Sequence, residues 1–157
     1  MNAFSWNLVL ALIWASVSGE FSLFTLTVGF VLGYLILGFA LRDVPGFAQY
    51  GRKVPKVLLL LLLFLRDLVL SNLRVAYDVL TPTHYMNPAV VAIPLDAKTE
   101  GAITILANMI SLTPGTLSMD VSSDRKVLYL HVMYLDNEED LKRQIKSLET
   151  RIIEILS

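Results

Sequence analysis

The chain has no cysteine among its 157 residues. That excludes disulfides, thiolate metal sites and cysteine nucleophiles, and it fits a reducing compartment. Histidine is nearly as scarce. His84 and His131 are the only two, and neither sits in an H-x-x-E or paired-histidine spacing, so no metal site is expected. No G-x-S-x-G and no P-loop occurs. The sequence therefore yields no catalytic, cofactor-binding or metal-ligating residue and implies no cofactor. Charge is missing from one half of the chain. The first 41 residues carry only Glu20, and the last 77 carry seventeen charges. The net charge of −1 leaves no basic field for nucleic acid.

Hydrophobic residues fill the gap, at 55% of the chain, above the usual soluble range. The first apolar run covers 3–18, about 24 Å as a helix and short for a span. Gly19 and Glu20 interrupt it. The second run, 21–41, is uncharged and reaches about 31 Å, the thickness of the hydrocarbon core. Ser16 and Ser18 resemble a cleavage site. No Lys or Arg precedes them, however, and a second apolar run follows at once, so both helices are expected to be retained. Gly29 and Gly33 form a G-x-x-x-G, the spacing that lets helix backbones approach closely, and Gly38 follows.

Residues 42–80 carry a local charge of +3, with Arg42, Arg52, Lys53 and Lys56 against Asp43 in the connection. The positive-inside rule places that connection in the cytoplasm. Pro45-Gly46 is expected to end the second helix, and Pro55 to open a third over 55–80. On that helix Asp67, Ser71, Arg74 and Asp78 share one face. Taking such charges through lipid costs roughly 2.5–3.5 kcal/mol each near the centre. The third helix should therefore lie along the membrane surface or press its polar stripe on a partner. The other reading makes Arg66, Asp67 or Arg74 part of an intramembrane ion path.

Residues 81–88, with Pro82, Asn87 and Pro88, read as a linker. The remainder, 89–157, reads β-α-β-β-α. A strand over 89–95 is followed by a helix capped by Asp96. Two alternating strands follow, with Leu117, Met119 and Val121 on one face of the first and Leu128, Leu130 and Val132 on one face of the second. His131 falls on the opposite side. Ser122–Arg125 reads as the hairpin turn between them. The run from Asp136 to Glu139 resembles a capping box, and the last helix carries Leu141, Ile145, Leu148, Ile152 and Ile155 as an amphipathic stripe. Lys142, Arg143 and Lys146 read as its solvated face. The acidic run 136–140 suits a helix N-terminus. The expected fold is thus a membrane α-helical hairpin over 1–80 with an amphipathic third helix, then a small cytoplasmic α+β domain of ferredoxin-like type. Pro114-Gly115 marks a turn in which Ser and Thr hydroxyls are expected to cap freed backbone groups.

The run L-A-N-M-I-S-L-T-P-G-T-L-S-M-D-V at 106–121 resembles the E subunits of multisubunit Na⁺/H⁺ antiporters of the Mrp or Mnh type. So do F-S-L at 21–23, S-N-L-R-V-A at 71–76 and V-A-I-P-L-D at 91–96. The likeness covers essentially the whole chain. It implies a plasma-membrane, multi-pass component of a hetero-oligomer that exports Na⁺ in exchange for H⁺. In that family the large A and D subunits are thought to carry the ion paths. The E subunit is a small accessory needed for assembly or full activity, with no catalytic residues assigned. The expected partners are the other subunits and the lipid bilayer. Gly29, Gly33, Asp67, Arg74 and Asp78 are the candidate partner-contact residues. The alternative is a stand-alone membrane-anchored regulatory or ligand-binding module.

Overall fold

A computed structural model of the chain describes residues 2–41, 43–81 and 86–156. Arg42 of the basic connection, and Pro82, His84 and Tyr85 of the linker, lie outside the described residues. Two compact units divide at Val57/Leu58.

The first unit is built on α1 (Ala3–Ser18) and α2 (Leu23–Ala40). Asn2 caps α1 by accepting from the Ser5 N–H, and Ser22 caps α2 by accepting from the Thr25 N–H. Gly19 ends α1 in the left-handed conformation at φ 70°, where a side chain would be strained. The two helices meet through small residues four apart. Ala3, Asn7, Ala11 and Ala15 are buried on α1, and Thr25, Gly29, Gly33 and Leu37 on α2. Among the described residues, α2 alone has both the length and the composition to cross a bilayer. Large side chains such as Trp6, Leu12, Phe24 and Phe39 face outward. That is the reverse of a soluble core, and lipid or another chain must cover them.

The third helix departs from expectation. α3 runs from Pro45 to Leu80, starting ten residues early, with Pro55 in its interior. Pro45 does not end the second helix; it stands at the first position of the third, where a missing N–H costs nothing. Pro55 withdraws the hydrogen bond that the Gly51 carbonyl four residues back would accept. The Tyr34 hydroxyl donates to that carbonyl at 2.9 Å and replaces it. A tyrosine on α2 thus lets the helix continue through a proline.

The second unit contains the α+β layer: β1 (Ala89–Pro94), α4 (Glu100–Leu112), β2 (Thr116–Val121), β3 (Val127–Val132) and α5 (Glu138–Leu156). The sheet is antiparallel in the order β1-β3-β2. A complete ferredoxin-like plan ends in a fourth strand; the described residues carry three. β1 is an edge bounded by Pro88 and Pro94, which lack N–H donors and so blunt further pairing. Arg125 closes the β2–β3 hairpin at φ 58°.

The core holds Val91, Ile93, Leu106, Leu128, Leu130 and Val132, with Ile145 and Ile152 from α5 and Leu60 from α3. The β3 alternation and the α5 stripe fall where expected. β2 does not. Leu117 and Met119 are more than half exposed, while Thr116 and Ser118 pair opposite core residues Val132 and Leu130. A register shift between Ser118 and Asp120 returns Val121 to the core side. The inward hydroxyls are hydrogen-bond donors to α4. Thr116 Oγ1 donates to the Ile110 carbonyl at 2.6 Å, and Ser118 Oγ to that of Ala107 at 2.9 Å. Thr116 thereby satisfies a carbonyl of the last turn of α4, as the turn chemistry of 106–121 suggested, and Ser118 adds a second donor to a carbonyl in the helix body.

Asp96 is not the cap of α4; Thr99 is, accepting from the Ala102 N–H. Asp96 binds elsewhere, to Lys146 Nζ at 2.6 Å. Glu149, only 1% exposed, accepts from the Asp96 and Ala97 N–H groups at 2.7 and 2.8 Å and pairs with Lys146 at 2.9 Å. Lys146 is therefore not a freely solvated residue. Desolvation works to lower its pKa, and Asp96 and Glu149 outweigh it, so the ammonium stands raised above its ordinary 10.5. Asn137 caps α5, with Glu138, Glu139 and Asp140 in the first turn.

Candidate functional site

The expected contact residues fall into two places. Gly29 and Gly33 are buried within the hairpin against α1 of the same chain. A Cβ on Gly29 would lie 2.9 Å from Trp14 Cβ and 3.0 Å from the Ala11 backbone. One on Gly33 would lie 2.2 Å from Asn7 Oδ1. Asn7 is fully buried; its Nδ2 donates to the Tyr50 hydroxyl at 2.8 Å, and Tyr50 stacks edge-on to Tyr34. Asn7 and the two tyrosines carried no motif. In retrospect, a lone Asn in an apolar helix is the signal that marks them.

Asp67, Arg74 and Asp78 belong to the second unit, where α3 meets the α+β layer. Arg74 Nη2 donates to Asp136 Oδ2 at 2.8 Å, and the guanidinium lies 4.7 Å from the centre of the Tyr134 ring. Asp78 is 4% exposed and accepts from the Tyr134 hydroxyl at 3.3 Å. Desolvation first, then the Asp78 carboxylate, raises Tyr134 above its ordinary 10.0, against Arg74. Two members of the polar stripe therefore hold α3 to the chain's own domain. Asp67 is exposed, and neither it nor Arg66 makes an ion pair among the described residues.

Between these anchors runs a groove of about 660 Å³. Leu63, Phe64 and Asp67 line it from α3, Leu148 and Arg151 from α5, and Thr113–Thr116 from the turn after α4. The most distinctive stretch of sequence is thus a wall of the groove. Gly115 holds φ 90°, and a Cβ there would lie 3.3 Å from the Tyr134 ring. Its carbonyl accepts from the Met133 N–H at 2.8 Å. Gly115→Ala is expected to cost about 1–2 kcal/mol, through backbone strain and a displaced Tyr134. Thermal unfolding of the full chain in detergent should shift down by several degrees; an unchanged midpoint would show that the turn does not support the junction.

Among the described residues no group of three His, Asp or Glu is placed to hold a metal. What the geometry offers is a pre-shaped surface: an exposed helix stripe and a mixed apolar and cationic groove.

Residues 7–155 match a family described as Na⁺/H⁺ ion antiporter subunit. A relative from Alkalihalophilus pseudofirmus, named as the E subunit of a Na⁺/H⁺ antiporter, is 39% identical over 150 residues, covering 95% of this chain and 94% of its own. A chain in a structure of the Mrp complex from Dietzia sp. is 26% identical, with a TM-score of 0.47 over 62% of this chain and 92% of its own. A chain of an archaeal membrane-bound sulfane sulfur reductase shares the fold, with a TM-score of 0.57, 24% identity, and coverage of 96% and 99%.

Proposed function

Because the chain belongs to the E-subunit family of Na⁺/H⁺ antiporters, we propose that it is an accessory membrane component of a multisubunit monovalent cation/proton antiporter. It acts through assembly and supplies no ion path of its own. The observation that carries this reading is the distribution of charge. Translocation needs ionisable groups in the membrane with water access and two alternating states. The hairpin holds no charge except Glu20, which is exposed at its turn. Its buried Asn7 donates to the Tyr50 hydroxyl, a neutral contact.

Partner contact falls to the surface that the chain leaves uncovered. Leu58, Leu62, Leu65, Val69 and Leu73 recur at helical spacing on α3 and are all more than half exposed. A stripe of that kind suits insertion between neighbouring apolar helices. Arg74 and Asp78 support it indirectly, by fixing α3 to the α+β layer, which is best described as a ferredoxin-like unit short of its last strand. The basic residues Arg52, Lys53 and Lys56 support a cytoplasmic location for the start of α3, and the charged α+β layer is assigned to the same side.

Reconstituted alone in proteoliposomes, the chain should give no Na⁺-dependent dissipation of a pH gradient. A complex lacking it should show reduced antiport together with reduced recovery of the other subunits. Exchange by the single purified chain would refute the accessory role. A complex unaffected by the deletion would instead favour a stand-alone membrane-anchored module.

A further inference from the structure

The groove of the second unit has the composition of an amphiphile site. Along α3 its lining is apolar at Leu60, Leu63 and Phe64 and mixed beyond, with Leu70 among Arg66, Asp67, Ser71 and Arg74. The apolar section shares its helical turns with Leu58, Leu61, Leu62 and Leu65, which are exposed and need lipid or protein to cover them. The opposite wall repeats the mixture, with Leu148 beside Gln144 and Arg151 on α5. The volume, about 660 Å³, lies within the range of small-molecule sites, roughly 300–1,000 Å³.

The charge balance points to the ligand's sign. Three guanidinium groups line the groove, those of Arg66, Arg74 and Arg151, against the carboxylate of Asp67. Arg74 is held by Asp136. Arg66 and Arg151 make no ion pair or hydrogen bond among the described residues, while Arg125 and Arg143 elsewhere in the unit are each paired with a carboxylate. These two guanidinium groups line the same groove from α3 and α5, outnumber the Asp67 carboxylate there, and are of the type that takes a phosphate in bidentate fashion. The leucines beside them match an acyl chain.

We propose that this groove binds one anionic phospholipid, with the phosphate between Arg66 and Arg151 and the start of an acyl chain along Leu60, Leu63 and Phe64. The bound lipid fills the space between α3 and the α+β layer. It also couples the seating of that layer to the anionic lipid content of the membrane.

The test is native mass spectrometry of the full chain in mild detergent, with phosphatidylglycerol or phosphatidylcholine of identical acyl chains added in turn. The wild type should retain one phosphatidylglycerol with at least about fivefold preference. The double variant R66Q/R151Q should lose that preference with unchanged helical content. R125Q, which lies outside the groove, should keep it. Equal retention of the two lipids, or a preference that survives R66Q/R151Q, overturns the assignment. In the assembled complex a photoreactive side chain at Gln144 should capture phospholipid. Capture of a neighbouring subunit there would show that a protein segment fills the groove, and would overturn it as well.

Discussion

Gly29→Val is expected to remove the chain from its complex. The Cβ alone would sit 3.0 Å from both the Ala11 Cα and the Ala11 carbonyl oxygen, and 2.9 Å from Trp14 Cβ. These are backbone and near-backbone atoms, so no rotamer change relieves the contact. Between membrane helices there is little hydrophobic drive to compensate, and close packing supplies most of the attraction. Overpacking a tight interface costs about 1–3 kcal/mol, and a valine adds two methyls beyond the clashing Cβ. A cost near the top of that range lowers the ratio of packed to separated hairpin by about a hundredfold. Co-purification of the chain with its complex should fall at least about tenfold. Gly38→Val is the matched control, since nothing lies within 4 Å of its added Cβ, and it should assemble normally. Normal recovery of Gly29→Val would mean that α1 and α2 do not pack in the way described.

The second large effect is expected at Glu149. Its carboxylate is the shared acceptor for two backbone N–H groups and for Lys146, at a residue 1% exposed. Glu149→Ala leaves the buried Ala97 N–H without its acceptor, at about 1–3 kcal/mol, and removes the acceptor of the part-buried Asp96 N–H as well. The α+β layer is small, and its whole stability is on the order of 5 kcal/mol. A large share of it should therefore be lost. Denaturant unfolding of the full chain followed by circular dichroism should show wild type above Glu149→Gln and Glu149→Ala lowest, because Gln keeps an acceptor oxygen and loses the ion pair. Amide exchange at Ala97 should accelerate in the same order. A Glu149→Ala chain within about 0.5 kcal/mol of wild type would remove the residue from the framework. The pH dependence follows from Lys146. Its folded pKa is raised above 10.5, so its contribution is complete below pH 10.5 and disappears as pH rises through the raised value. Stability should stay level across neutral and mildly alkaline pH and decline above that.

Much of the architecture was legible because it follows from local pattern. The end of α1 is written in Gly19, the β3 core in the alternation of Leu128, Leu130 and Val132, and the α5 face in the spacing of Ile145 and Ile152. α3 was not. Pro45 and Pro55 read as boundaries, because a proline removes a hydrogen bond and a sequence does not show who replaces it. Tyr34, seventeen residues before Gly51, does so. β2 misled for a related reason. Its apolar residues suggested the inner face, but the α4 carbonyls that face the sheet accept from hydroxyls, and Thr116 and Ser118 took the inward positions. Gly29, Gly33, Asp67, Arg74 and Asp78 were read as contacts to other subunits; the contacts that Gly29, Gly33, Arg74 and Asp78 make within the chain were not visible in the sequence.

By itself the sequence determined that the chain is divided between an apolar and a charged half, and that it resembles antiporter E subunits. These conclusions rest on composition and short-range order, which no folding step changes. Only the tertiary structure decided that Gly29 and Gly33 face α1, that Arg74 and Asp78 reach Asp136 and Tyr134, and that Glu149 ties α5 to the segment after β1. These partners are far apart along the chain: 62 positions separate Arg74 from Asp136, and 52 separate Ala97 from Glu149. A helical face or a charge shows in a sequence that it needs a counterpart. Which counterpart it meets depends on how the loops between them close.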